Sequence, residues 1–175
     1  MITKPRSIIL IGMMGAGKSS VGRTLELRTN LPRFDLDEMI QAKAEMSIPE
    51  IFAAKGEEWF RDLESSVLQE LPGATPAIVV TGGGIILRSE NTEILKRLGT
   101  IVWLEADEAV LLERVTRQRN RPLLQTGNPA ETLFTLLAQR RPLYEAAANL
   151  RVDTTRRTHD EVTDIILQEL EGHDR

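Results

Sequence analysis

Cysteine is absent from this sequence of 175 residues. No disulfide framework, thiolate metal site or cysteine nucleophile is therefore available. That agrees with a reducing compartment, and cytoplasmic residence is expected. Only two histidines occur, His159 and His173, both in the polar C-terminal stretch, which leaves no ligand set for a zinc centre. Positive charge is not in excess: 22 Lys and Arg stand against 26 Asp and Glu, for a net charge of −4. An overall basic field for nucleic acid is excluded, and the arginines cluster locally instead. No apolar run approaches the roughly 18 residues of a membrane span. A strand candidate begins a few residues after Met1, so no signal peptide is expected. Internal repeats, low-complexity segments and interdomain linkers are missing too. One domain over 1–175, acting as a monomer, is the expectation, with enough chain to bury a core.

What is present is an alternation. Apolar runs of strand length stand at Ser7–Ile11, Arg33–Asp35, Ala77–Thr81, Thr100–Glu105 and Leu150–Val152. Helix-like stretches lie between or after them, at Ser19–Thr29, Glu57–Leu71, Glu90–Leu98, Glu108–Arg117, Ala130–Arg140 and His159–Glu171. Such alternation argues for a parallel sheet covered by helices. Val79-Val80 and Ile101-Val102 lack polar alternation, as strands buried on both faces do. Two regions depart from the pattern. Residues 35–70 form a long helical insertion, in which Ser47-Ile48-Pro49-Glu50 reads as a capping box and Gly56 as the end of a short helix. Residues 114–128 have the polar, Pro- and Gly-containing composition of a lid in their second half, with Gly127 and Asn128 as candidate hinges.

The strongest chemical signal is Gly12-Met13-Met14-Gly15-Ala16-Gly17-Lys18-Ser19, between a strand and a helix. This is the P-loop spacing in its proper context. Backbone N–H groups of Gly15, Ala16, Gly17 and the following Lys18, Ser19 and Ser20 can wrap phosphates at a helix N-terminus. The Lys18 amine reaches the β- and γ-phosphates, and the Ser19 hydroxyl suits Mg²⁺. The third strand runs into Gly82-Gly83-Gly84 with no Walker-B acid at its tip. A carboxylate is available instead where the second strand ends, at Asp35-Leu36-Asp37. In extended chain the two aspartates leave on one side, so one could hold magnesium and the other an acceptor hydroxyl. Either could equally cap the helix that follows.

Three consecutive glycines after a buried strand make sense where a ligand must lie against backbone. Arg61 on the insertion and Arg140 and Arg141 before Pro142 come from distant segments. An arginine fork matches a carboxylate bidentately, so two could converge on an anionic acceptor. Arg121 in the lid could add charge at the phosphates only on closure.

These motifs stand in the order found in shikimate kinases. The P-loop, Asp35-x-Asp37, Phe60-Arg61, Gly82-Gly83-Gly84, Arg121-Pro122-Leu123-Leu124 and Arg140-x-Pro142-Leu143-Tyr144 together resemble that family over about residues 5–170. The resemblance implies an α/β P-loop kinase fold of three layers, with a five-stranded parallel sheet of order 2-3-1-4-5 flanked by helices. It implies ATP and Mg²⁺, and transfer of the γ-phosphoryl group to the 3-hydroxyl of shikimate, a step of chorismate and aromatic amino acid biosynthesis. By matching positions, Lys18 would sit on the phosphates, Ser19 on Mg²⁺ and Asp35 near the metal. Asp37 would orient or deprotonate the acceptor hydroxyl. Arg61 and Arg140 would clamp the shikimate carboxylate, with Gly82, Gly83 and Gly84 against the ring. Arg121 would close over ATP, while Arg114 and Arg157 resemble residues on the adenine side.

Three departures from the family pattern touch none of these roles: Ser20 stands where threonine is common, Asn30-Leu31-Pro32-Arg33 lacks a frequent glycine, and His159 lies at a variable position. Competing readings are another small-molecule P-loop kinase of gluconate type, and a nucleotide-dependent binding module without catalysis. Base-recognition groups for a nucleotide acceptor are not apparent. Retention of Lys18, Ser19, Asp37 and Arg121 argues against a binding module.

Overall fold

The apolar runs become five parallel strands, β1 (Ser7–Ile11), β2 (Arg33–Asp35), β3 (Ile78–Val80), β4 (Gly99–Glu105) and β5 (Leu150–Asp153), in a computed structural model that describes residues 6–117 and 127–173. The sheet order is β2-β3-β1-β4-β5, the order the resemblance implied. Every residue of β1 is buried, and it pairs with β3 on one side and β4 on the other. This explains the apolar, non-alternating composition of the central strands. Among the described residues, seven α-helices connect or follow them: α1 (Lys18–Thr29), α2 (Leu36–Ala44), α3 (Ile48–Gln69), α4 (Ser89–Leu98), α5 (Glu108–Thr116), α6 (Pro129–Ala147) and α7 (His159–His173). Right-handed crossovers in opposite directions from the middle of the sheet cover both its faces. Helices α1 and α7 pack together on one, and α4 and α6 reach β4 on the other.

The insertion folds as its capping signals require. Ser47 N donates to Glu50 Oε2 at 2.7 Å and Glu50 N to Ser47 Oγ at 3.4 Å, a reciprocal capping box with Pro49 in the first turn. Gly56 interrupts α3 at φ +85° and ψ 171°, a conformation that β-carbon-bearing residues strongly disfavour. The helix resumes directly after it, so α3 is two segments joined at one glycine. That second segment carries Arg61 and Glu64 toward the sheet.

Most ends fall within one or two residues of the sequence expectation, α3 joins the short capped helix to the one expected from Glu57, and one end lies well beyond it. The last helix before β5 was expected to stop at Arg140, but α6 runs through Pro142 to Ala147. Proline removes one backbone donor and crowds the preceding turn. Here burial of Tyr144 and Ala147 on the same face as Leu133, Leu137 and Arg140 outweighs that cost. The consequence is functional: Arg140 and Tyr144 sit one turn apart on one helix face.

Candidate active site

The loop between β1 and α1 lies at the centre of the sheet, where the strands' carboxyl ends form the usual ligand crevice. Lys18 donates to the carbonyls of Gly12 at 2.8 Å and Met13 at 3.0 Å, which holds its amine over the loop. Ser19 Oγ donates to Asp35 Oδ2 at 3.2 Å. The other carboxylate oxygen, Asp35 Oδ1, accepts from Asp37 N at 3.1 Å and caps α2. The two readings of Asp35 were therefore not exclusive. One oxygen caps, and the other faces the P-loop hydroxyl. Asp35 is buried behind the cavity, whereas Asp37 lines it.

A cavity of about 460 Å³ extends from the P-loop along the Gly82–Gly84 turn and is bordered by Lys18, Ser19, Asp37, Arg61, Gly82, Gly83, Gly84 and Arg140. Arg61 and Arg140, from α3 and α6, are 7% and 2% exposed, so neither is a solvated surface charge. Arg61 Nη1 pairs with Glu64 Oε2 at 2.8 Å and Nη2 with Glu57 Oε1 at 3.2 Å. The Nε atoms of both arginines and Glu64 Oε1 are buried without a hydrogen-bond partner. A buried polar atom left unmatched costs about 1–3 kcal/mol, so this is a polar wall suited to a polar, anionic occupant.

The glycines fit between these groups. A Cβ on Gly84 would fall inside the Arg61 guanidinium. One on Gly82 would lie 2.8 Å from Glu64 Oε1 and 3.1 Å from Asp37 Oδ1. One on Gly83 would lie 3.4 Å from Arg140 Nη1. Each glycine thus admits a different charged side chain to the same wall.

Three contributors escaped the sequence reading. Glu64 is fully buried, and burial pushes its carboxyl above the ordinary carboxylate range, against the pull of Arg61. Asp37 adds to the upward push and Arg140 opposes it. Tyr144 donates its phenol to the Gly83 carbonyl and pins the glycine turn to α6. Burial pushes that phenol up to about 12, so it keeps its proton as donor at any working pH. His159 borders the cavity on the P-loop side, about 3.9 Å from where a Cβ on Gly17 would stand. The sequence already placed His159 at the start of a helix, and the capping pair Thr158 and Glu161 fixes it in the first turn of α7, but its place at the cavity edge was not legible.

On the same side, Arg114 bonds Gly15 O at 3.2 Å, Thr154 Oγ1 at 3.1 Å and Thr154 O at 2.9 Å, tying the P-loop to the segment after β5. Arg114 borders the cavity. Arg157 instead folds back onto the Asp153 carbonyl at 2.6 Å and does not border the cavity. Arg121 lies outside the described residues.

The donors near the P-loop are a hydroxyl and a carboxylate, hard oxygens of the kind Mg²⁺ takes. Among the described residues no cluster of three or more His, Asp or Glu could cage a metal unaided.

A shikimate kinase family model matches residues 14–171. The shikimate kinase of Cupriavidus pinatubonensis is 41% identical over 165 residues, covering 94% of this chain and 86% of its own. The shikimate kinase from Acinetobacter baumannii, solved in complex with shikimate, superposes with a TM-score of 0.92 at 38% identity, covering 96% of this chain and 94% of that one. A gluconokinase from Sinorhizobium meliloti shares the fold at a TM-score of 0.63 but only 21% identity, covering 97% of this chain and 94% of its own. With the family model spanning most of the chain and that level of identity over nearly its full length, this protein belongs to the shikimate kinase family.

Proposed function

We infer that this chain transfers the γ-phosphoryl group of ATP to the 3-hydroxyl of shikimate, with Arg61 and Arg140 as the carboxylate clamp. The observation that carries this reading is the pair of buried arginines from distant helices, facing one cavity with the P-loop. Arg61 keeps Glu57 and Glu64 as partners, but a neutral polyol brings no counter-charge for Arg140, whereas an acceptor carboxylate matches a guanidinium fork bidentately. The gluconate-type alternative also offers a carboxylate, but family membership disfavours it.

The residues divide the work. Backbone groups from Gly15 to Ser20 and the Lys18 amine hold the phosphates. Asp37 accepts from the attacking hydroxyl and points it at the γ-phosphorus. Gly82, Gly83 and Gly84 let the ring lie against backbone. Ser19 and Asp35 would hold Mg²⁺, which when bound supplies charge neutralisation on the β- and γ-phosphates. Arg114 borders the nucleotide side; Arg157, which turns back onto the Asp153 carbonyl, is assigned to the adenine side on the family resemblance alone. Residues 35–70 serve as the acceptor-binding insertion and 114–128 as the lid, bringing Arg121 over the phosphates and excluding water. The chain acts as a cytoplasmic monomer. No helix among the described residues is long and apolar enough to cross a membrane.

A coupled ADP-release assay with shikimate, gluconate and nucleoside monophosphates tests the acceptor. Turnover is expected with shikimate alone, and its absence there overturns the reading. The same assay reads the glycine wall. Gly84→Ala drives a methyl group into the Arg61 guanidinium, which cannot swing aside without breaking its bond to buried Glu64. The variant is expected to fold and to raise the shikimate KM about tenfold or more, while the ATP KM stays put. Equal change in both constants would show a general distortion of the sheet instead.

A further inference from the structure

Arg33 opens β2 and Asp35 closes it, so a strand period of two sends both side chains to one face. The Arg33 side chain is 14% exposed and lies among three carboxylates. Its Nε meets Glu26 Oε2 at 3.1 Å, its Nη2 meets Glu38 Oε2 at 3.4 Å, and its Nη1 meets Asp35 Oδ2 at 3.5 Å. That last oxygen is the one bonded by the Ser19 hydroxyl. Gly22 on α1 leaves room for the arginine stem, since a Cβ there would lie 3.5 Å from Arg33 Cδ. A fixed positive charge is therefore built in directly behind the carboxylate oxygen that faces the P-loop.

We propose that Arg33 weakens the hold of the Ser19–Asp35 pair on the divalent cation, so that the cation arrives and leaves with the nucleotide. This rests on the assignment of Ser19 and Asp35 to Mg²⁺. Two opposing effects are conceivable, and the geometry decides between them. Arg33 helps orient Asp35, but Asp35 is also held by Asp37 N at 3.1 Å and by Ser19 Oγ at 3.2 Å. Orientation survives without the arginine. Its charge has no substitute, and removing it also releases the negative charge of Glu26 and Glu38. Both changes favour a cation at Asp35 Oδ2. Arg33 is thus a charge-setting residue that tunes cation exchange.

Mn²⁺ serves as the probe, titrated by electron paramagnetic resonance against protein and ADP with shikimate absent. Arg33→Leu is expected to bind Mn²⁺ in the ADP complex about threefold tighter or more, the scale of one nearby, partly screened charge. Arg33→Lys keeps the charge and should stay within about twofold of the wild type on the same basis. ADP affinity in the presence of a chelator should not change in any of the three. Unchanged or weaker Mn²⁺ binding in Arg33→Leu overturns the proposal, as does an equal gain in metal-free ADP affinity. Should Arg33→Leu fail to fold, Arg33→Met keeps the stem beside Gly22 and answers the same question. A wild type whose ADP binding ignores Mn²⁺ overturns the cation assignment and this proposal together. The acceptor reading does not enter, because no shikimate is present.

Discussion

Arg140→Ala raises the KM for shikimate by about 100-fold and leaves the KM for ATP within about twofold, in the range for truncating one partner of a buried charge pair. The size follows from burial. Arg140 is 2% exposed, so its charge is little screened, and its Nε has no hydrogen-bond partner within the protein. A hundredfold loss corresponds to about 2.7 kcal/mol, well within what a desolvated, charge-assisted contact supplies. The selectivity follows from position. Arg140 stands on α6 beside Gly83, where the acceptor is proposed to lie, and Lys18 and Arg114 remain untouched. Steady-state kinetics with each substrate varied in turn is the measurement. Equal loss of ATP affinity would move Arg140 out of the carboxylate clamp.

The two arginines should not behave alike. Arg61 is bonded to Glu64, which is fully buried, so Arg61→Ala leaves a carboxyl without its counter-charge. Removing one member of a buried pair is costly to the fold itself. Arg61→Ala is expected to lower Tm as well as shikimate affinity, whereas Arg140→Ala spares Tm by comparison. That contrast separates a substrate contact from a contact that also holds α3 against the glycine turn.

How far the sequence led depends on whether a feature is local. The P-loop, the capping box at Ser47 and the break at Gly56 are written in neighbouring residues, and they fold as read. The sheet followed from the alternation of apolar and helical stretches, and its order from the family resemblance. Features that depend on tertiary burial were not legible. Glu64 three residues after Arg61 looks like an ordinary exposed helix pair. Only the packing of α3 against Gly82 and Gly84 turns it into a buried, proton-favouring carboxyl. Pro142 suggested a helix end by its backbone chemistry, and the buried Tyr144 beyond it overrode that preference. The ambiguity at Asp35 was real in the sequence, because capping and facing the P-loop require the same residue type. It disappears only when its two oxygens are seen to point to different partners.

That division of labour at Asp35 sets up the second large effect. Asp37→Asn is expected to cut kcat by about 100-fold or more with little change in either KM, the scale on which a positioned proton acceptor works. The substitution keeps size and shape. It also keeps the cap of α2, because Asp35 Oδ1 performs it through the backbone N–H of Asp37, not through the Asp37 side chain. The fold and the Ser19–Asp35 contact should therefore survive. What changes is the chemistry at the cavity edge, where Asp37 Oδ1 lies 3.1 Å from the position a Cβ on Gly82 would take. In the proposed reaction a carboxylate there would accept the acceptor's O–H and align its lone pair on the phosphorus. An amide can turn its NH₂ toward the same oxygen and hold it in the wrong sense. Because phosphoryl transfer passes through a loose transition state, alignment alone can account for much of the loss, and removal of the proton need not precede attack. A kcat that falls equally at every pH marks Asp37 as the orienting group. A loss that shrinks as pH rises marks it as the proton acceptor, since hydroxide then supplies the missing base. A near-normal rate throughout would leave Asp37 with no part in the transfer.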